Sequence, residues 1–109
     1  MAIPHLAPGE GVDLMPHDLD LATARTEALF KTAHLEVIRL VLRAGKSFPP
    51  HQVPGDITIQ CLTGRLEIGV DSNACTLEPG QLLYLAGGVM HSVLALQDAC
   101  GLVTIVLKP

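Results

Sequence analysis

From Leu35 to Leu107 the chain is cut into short runs by Gly45, Pro49-Pro50, Pro54-Gly55, Gly64, Asp71-Ser72-Asn73, Pro79-Gly80, Gly87-Gly88 and Gln97-Asp98. Glycine and proline interrupt regular structure, so each run has room for one short strand and not for a packed helix. Between Asp56 and Thr63 the residues Ile57, Ile59 and Cys61 fall on one side, and Thr58, Gln60 and Leu62 on the other. Between Arg65 and Val70 the apolar side is Leu66, Ile68 and Val70, with Arg65 and Glu67 opposite. A period of two is the signature of a strand, whose successive side chains leave opposite faces. Gln81–Leu85, Met90–Leu96 and Gly101–Leu107 continue the series, with His91, Val93 and Ala95 sharing a face. Short strands separated by regularly placed turns predict an all-β sandwich or barrel.

Local chemistry refines the reading. Leu35–Leu42 is apolar, partly β-branched and too short for a core helix, so it predicts a strand. Thr26–Lys31 is its expected hairpin partner, and Ala22 and Ala24 leave room for a short helical turn before it. Pro49-Pro50 offers no N–H to a ladder, so His51 is expected to begin a strand just after them. Asp71-Ser72-Asn73 is a hairpin tip, and Gly80 is expected at positive φ in the turn Glu78-Pro79-Gly80. Residues 1–20 hold Pro4, Pro8, Gly9, Gly11 and Pro16 and predict an irregular arm, with the barrel domain over 21–109. His5, His17 and His34 are expected at the surface.

With 109 residues the chain is one domain with one core. Charged residues make up 17% of it, below the roughly 25% of average domains. So few charges on so apolar a chain (49% hydrophobic) predict that some outer surface is covered in a homodimer. A net charge of −4, no Trp and few other aromatics predict no nucleic-acid partner. No apolar run approaches the ~20 residues of a membrane helix, so no membrane partner is expected. The first residues, Met1 to His5, lack a basic segment followed by a continuous apolar one, which predicts no secretory leader. Cys61, Cys75 and Cys100 are odd in number and lack CxxC spacing, which predicts free thiols in a reducing, cytoplasmic setting.

Two histidines stand where a loop feeds an apolar run: His51 after Gly45-Lys46-Ser47-Phe48-Pro49-Pro50, and His91 after Ala86-Gly87-Gly88-Val89-Met90. With Gly64 and Gly80 at the matching intervals, these residues resemble the two motifs of the cupin superfamily, in its small single-domain, RmlC-like form. The resemblance spans about residues 35–107 and implies a jelly-roll β-barrel or sandwich. In cupins that hold a metal, the first motif supplies two His and a Glu, and the second supplies one His. Here Val53 stands for the second His and Ile57 for the Glu, while Ala86 and Ala95 replace a Pro and an Asn of the second motif. The resemblance therefore implies a degenerate metal motif. Only His51 and His91 remain as ligands for an ion such as Zn, Ni, Fe or Mn, and catalytic zinc usually has three protein donors.

By alternation and by motif position, His51, Val53, Ile57, Ile59, Cys61, Met90, His91 and Val93 are the expected pocket residues. Cys61 is either a soft donor or a plain buried thiol. Asp56 has outward parity and a surface or turn role. The expected function is binding of a small organic molecule beside His51 and His91, without metal or with a weakly held one. The alternative is a metal-dependent enzyme, of dioxygenase or isomerase type, using the same two histidines. On either reading, replacing His51 or His91 by Ala is expected to alter binding and leave the fold intact.

Overall fold

The structure is a computed structural model and describes residues 5–107. Met1–Pro4, in the expected arm, and Lys108–Pro109, at the end of the expected barrel domain, lie outside the described residues. Nine strands follow in chain order: β1 (Glu27–Lys31), β2 (Leu35–Leu42), β3 (Ser47–His51), β4 (Ile57–Thr63), β5 (Leu66–Val70), β6 (Asn73–Leu77), β7 (Leu82–Leu85), β8 (His91–Ala95) and β9 (Ala99–Val106). They form a five-stranded sheet in the order β1-β2-β9-β4-β7 and a four-stranded sheet in the order β3-β8-β5-β6. All pairings are antiparallel, and there is no helix among the described residues. The architecture is an all-β jelly roll.

The alternating runs became the core. Ile57, Ile59 and Cys61 of β4 face Leu66 and Ile68 of β5, with Val93 and Ala95 of β8, all in one buried cluster. Leu66, Ile68 and Cys61 are wholly inaccessible to solvent. Burying a side chain of the Leu or Ile size contributes about 2 kcal/mol each, and the interleaving of two sheets is what makes it possible. The hairpin β1–β2 forms as expected, with a register shift between Ala28 and Phe30. Before it lies a single turn, in which the Ala22 amide donates to Asp20 Oδ1 and the Ala24 amide to the Asp20 carbonyl. At the β5–β6 tip Val70 pairs with Asn73, and Asp71 takes the left-handed φ of 54° that such a tight turn demands. Gly80 does adopt positive φ, at 89°.

Pro49 and Pro50 required a correction. They lie inside a strand, β3, and His51 is its last residue rather than the first of a new one. The sheet tolerates them because β3 is an edge strand, paired only with β8, and its register shifts between Phe48 and His51. The missing N–H groups fall where the ladder is irregular.

The described part of the arm, residues 5–20, contains no strand and runs along β1 and over Arg39 on the outer side of the five-stranded sheet. The Leu6 amide donates to the Leu29 carbonyl, and Arg39 Nη1 reaches the Leu14 carbonyl at 3.5 Å. Leu29, Arg39, Val41 and Cys100 are buried on this side. The far part of the same face is open: Leu82 and Tyr84 of β7 are 61% and 62% exposed, and Val106 is 43% exposed.

Candidate functional site

Between the two sheets, at the end where β3 and β8 begin their pairing, the core opens into a cavity of about 420 Å³. One wall is the five-stranded sheet: Ile38 and Leu40 of β2, Ile57 and Ile59 of β4, Val103 and Ile105 of β9. The other is the four-stranded sheet, with Phe48, Pro49 and His51 of β3 and His91 and Val93 of β8. Thr26 completes the lining. Its hydroxyl donates to the Val41 carbonyl and accepts from the Val41 amide, so both of its capacities are used by the backbone. Among the described residues, no Asp, Glu, Lys or Arg lines the cavity.

His51 and His91 are direct cross-strand partners on β3 and β8, and their ring centroids lie 4.4 Å apart at an interplanar angle of 52°. The same local device orients both rings. His51 Nδ1 lies 3.2 Å from the Pro49 carbonyl oxygen, and His91 Nδ1 lies 3.0 Å from that of Val89. A carbonyl only accepts, so in each case Nδ1 carries the proton and donates. In the neutral form of either ring, Nε2 is then the acceptor. Among the described residues, the buried side-chain polar atoms without a partner are Glu27 Oε2 and Arg39 Nε. His91 Nε2 is thus not sealed in protein and opens on the cavity that its ring lines.

The loops that carry the pair are tied to each other. The Gly87 amide donates to Asp56 Oδ1 at 3.0 Å, and the Gly88 amide donates to the Val53 carbonyl at 2.7 Å. Asp56 therefore fastens the loop after β3 to the loop before β8, in line with its outward parity. A Cβ on Gly87 would stand 2.1 Å from the Pro54 carbonyl oxygen, so contact between the loops, not approach of a ligand, requires glycine there.

Of the expected pocket residues, His51, Ile57, Ile59, His91 and Val93 line the cavity, while Val53, Cys61 and Met90 do not. Val53 lies in the loop after β3, where strand alternation has ended, and packs against the edge of the core. Cys61 lies beyond the cavity floor. It pairs with Gly101, against which Leu66 Cδ1 and Leu40 Cδ2 close the interior. Burial pushes the Cys61 thiol above its ordinary pKa, with the Glu78 charge adding to the rise and a backbone hydrogen bond from Leu66 opposing it. A protonated thiol is a poor metal donor. Met90 lies in the loop just before β8 and is 46% exposed, so adjacency to His91 did not carry it into the cavity. The residues missed were Ile38, Leu40, Thr26, Phe48, Pro49, Val103 and Ile105. Alternation along Leu35–Leu42 could have yielded the first two, but Gly101–Leu107 is apolar at both parities and hides which side faces inward.

His51 and Ile57 both line the cavity, from opposite walls: His51 belongs to the four-stranded sheet and Ile57 to the five-stranded one.

Burial separates the two histidines. His91 is 2% exposed, whereas His51 is exposed. His91→Ala is expected to lower the unfolding free energy by about 2 kcal/mol, since it leaves a void and strands the Val89 carbonyl. His51→Ala should change it by less than about 0.5 kcal/mol. Urea denaturation of both variants checks this, and equal losses would contradict it. The expectation that either replacement spares the fold is thereby narrowed to His51.

Against solved structures, the chain is similar to a conserved protein of unknown function from Streptococcus pyogenes, with a TM-score of 0.82 and 21% identity over 100% of this chain and 96% of that one. It is similar to an RmlC-like cupin from Desulfovibrio desulfuricans, with a TM-score of 0.70 and 22% identity over 95% and 96% of the two chains. A cupin superfamily protein from Desulfitobacterium hafniense matches with a TM-score of 0.74 and 18% identity over 76% of each chain. No protein-family model and no curated protein sequence matches the chain. The fold is that of the cupin superfamily, of the RmlC-like kind.

Many cupins hold a metal, so the donor set was tested against one. Two imidazoles with Nδ1 fixed to the backbone are oriented as metal ligands often are. Among the described residues, however, no three His, Cys, Asp or Glu side chains converge. The positions that would add a second His and a Glu hold Val53 and Ile57, one in a loop and one in the hydrocarbon wall. This donor set does not fit a resident divalent ion, which wants at least three protein donors and a carboxylate to offset its charge.

Proposed function

We propose that this protein binds a small organic molecule in the barrel cavity, with His51 and His91 as the polar contacts and without a resident metal. One observation carries the reading: an open cavity of about 420 Å³ whose polar side chains are His51, His91 and a Thr26 already bonded to the backbone, with apolar residues making up the rest of the lining. Pockets of a few hundred Å³ with an apolar wall and a few convergent polar groups are the usual form of a small-molecule site. Toluene titrated into isotopically labelled protein should shift the resonances of Ile59, Val93 and Val103 saturably. Elemental mass spectrometry after incubation with zinc, nickel, iron and manganese should find far less than one ion per chain. Stoichiometric metal lost in His51→Ala would instead establish the metal-dependent alternative, a dioxygenase or isomerase type of cupin.

Self-association belongs to the same proposal. Leu82, Tyr84 and Val106 stand on the outer face of the five-stranded sheet, beyond the arm's cover, and support a homodimer formed through that face. Light scattering at micromolar concentration would read a monomer mass if this is wrong. The free thiols Cys61, Cys75 and Cys100 support a reducing, cytoplasmic setting. Nucleic acid and membrane form no part of the proposal, given the net charge of −4 and, among the described residues, no helix able to cross a bilayer.

A further inference from the structure

We infer that the ligand is an uncharged, chiefly hydrocarbon molecule with a hydrogen-bond donor at one end, of the alcohol or phenol class, and not a carboxylate or a sugar. The inference rests on the pocket-binding reading and specifies its ligand.

The polar inventory of the cavity is short and one-sided. Both histidines commit Nδ1–H to backbone carbonyls, of Pro49 and Val89. What remains is two Nε2 acceptors on rings 4.4 Å apart. The third polar side chain, Thr26, has its hydroxyl occupied as donor and as acceptor by Val41. The cavity therefore asks for a donor and offers none. An O–H meets that demand. With neutral rings a carboxylate brings only acceptors to two acceptors, and among the described residues no Lys or Arg lines the wall to balance its charge. A sugar would bury several hydroxyls against Ile38, Leu40, Ile59 and Val103, where nothing can pair with them.

Direction follows from the same placement. The histidines lie where the exposed end of β3 meets β8, while Ile59 and Val103 lie deeper between the sheets. The hydrocarbon part goes inward and the hydroxyl stays at the mouth. At the ~30 Å³ that a water occupies in the liquid, the volume suits about a dozen non-hydrogen atoms.

The test is a matched set of probes on the whole chain in mildly alkaline buffer: para-propylphenol, propylbenzene, para-propylbenzoate and glucose, followed by calorimetry and by the resonances of Ile59, Val93 and Val103. The phenol should bind about tenfold more tightly than propylbenzene, the worth of one hydrogen bond made in a dry site. The benzoate and glucose should give no saturable response. In His51→Ala, which keeps the fold, the advantage of the phenol over the hydrocarbon should shrink. Equal affinity for phenol and hydrocarbon, or tighter binding of the benzoate or glucose, overturns the ligand class and leaves pocket binding standing. No response to any probe, toluene included, overturns both.

Discussion

Gly64→Ala is expected to lower the unfolding free energy by about 3 kcal/mol, from backbone strain and a backbone collision acting together. Gly64 turns β4 into β5 at a φ of 79°, which costs an L side chain about 1–2 kcal/mol by itself. The added Cβ would also stand 2.2 Å from the Asp98 carbonyl oxygen and 2.8 Å from Ala99 Cα. Both obstacles are backbone, at the entry to the central strand β9, so neither can rotate away. Gly80→Ala is the control. It has a φ of 89°, yet nothing lies within 4 Å of its Cβ position. It should show the conformational cost alone, about 1 kcal/mol. Urea denaturation of the two variants separates strain from collision, and equal losses would show that the collision relaxes.

Val103→Phe should reduce toluene and para-propylphenol affinity about a hundredfold without lowering stability. Val103 lies on β9, held on both sides by β2 and β4, so the larger ring cannot escape by moving the strand. It must enter the cavity, which has room for it. Overpacking is destabilising where a core is full, and this wall faces empty space. If the ring keeps roughly 100 Å² of ligand surface in water, the loss at ~25 cal/mol per Å² is about 2.5 kcal/mol, close to a hundredfold. Calorimetry and a thermal melt read both halves of the expectation. Unchanged affinity at full stability would place the ligand elsewhere on the molecule.

The cavity differs from a metal-holding cupin site by substitutions that act together. Val53 and Ile57 replace donors with hydrocarbon, and the two histidines that remain lose the partners that would complete a coordination shell. What they retain is orientation, because each ring is fixed by the carbonyl two residues before it. Asp56 contributes at one remove by holding the two histidine-bearing loops together.

Sequence alone determined the strands whose two faces differ. β4, β5 and β8 alternate cleanly, so Ile57, Ile59, Leu66, Ile68, His91 and Val93 could be assigned to the interior from local pattern. It also determined the turns, because Gly64, Gly80 and the Asp71-Ser72 tip carry residues that their backbone angles require. Tertiary structure alone decided which sheet each strand joined. Alternation states that a side chain points inward, but not which wall it builds, since that depends on pairing between distant strands such as β2 and β9. For this reason His51 and Ile57 could be assigned to the interior but not to its opposite walls, and Cys61 seemed to line a pocket that ends before it. The tolerance of Pro49-Pro50 within a strand was likewise decided by β3 lying at an edge, where a missing N–H leaves no neighbour unpaired.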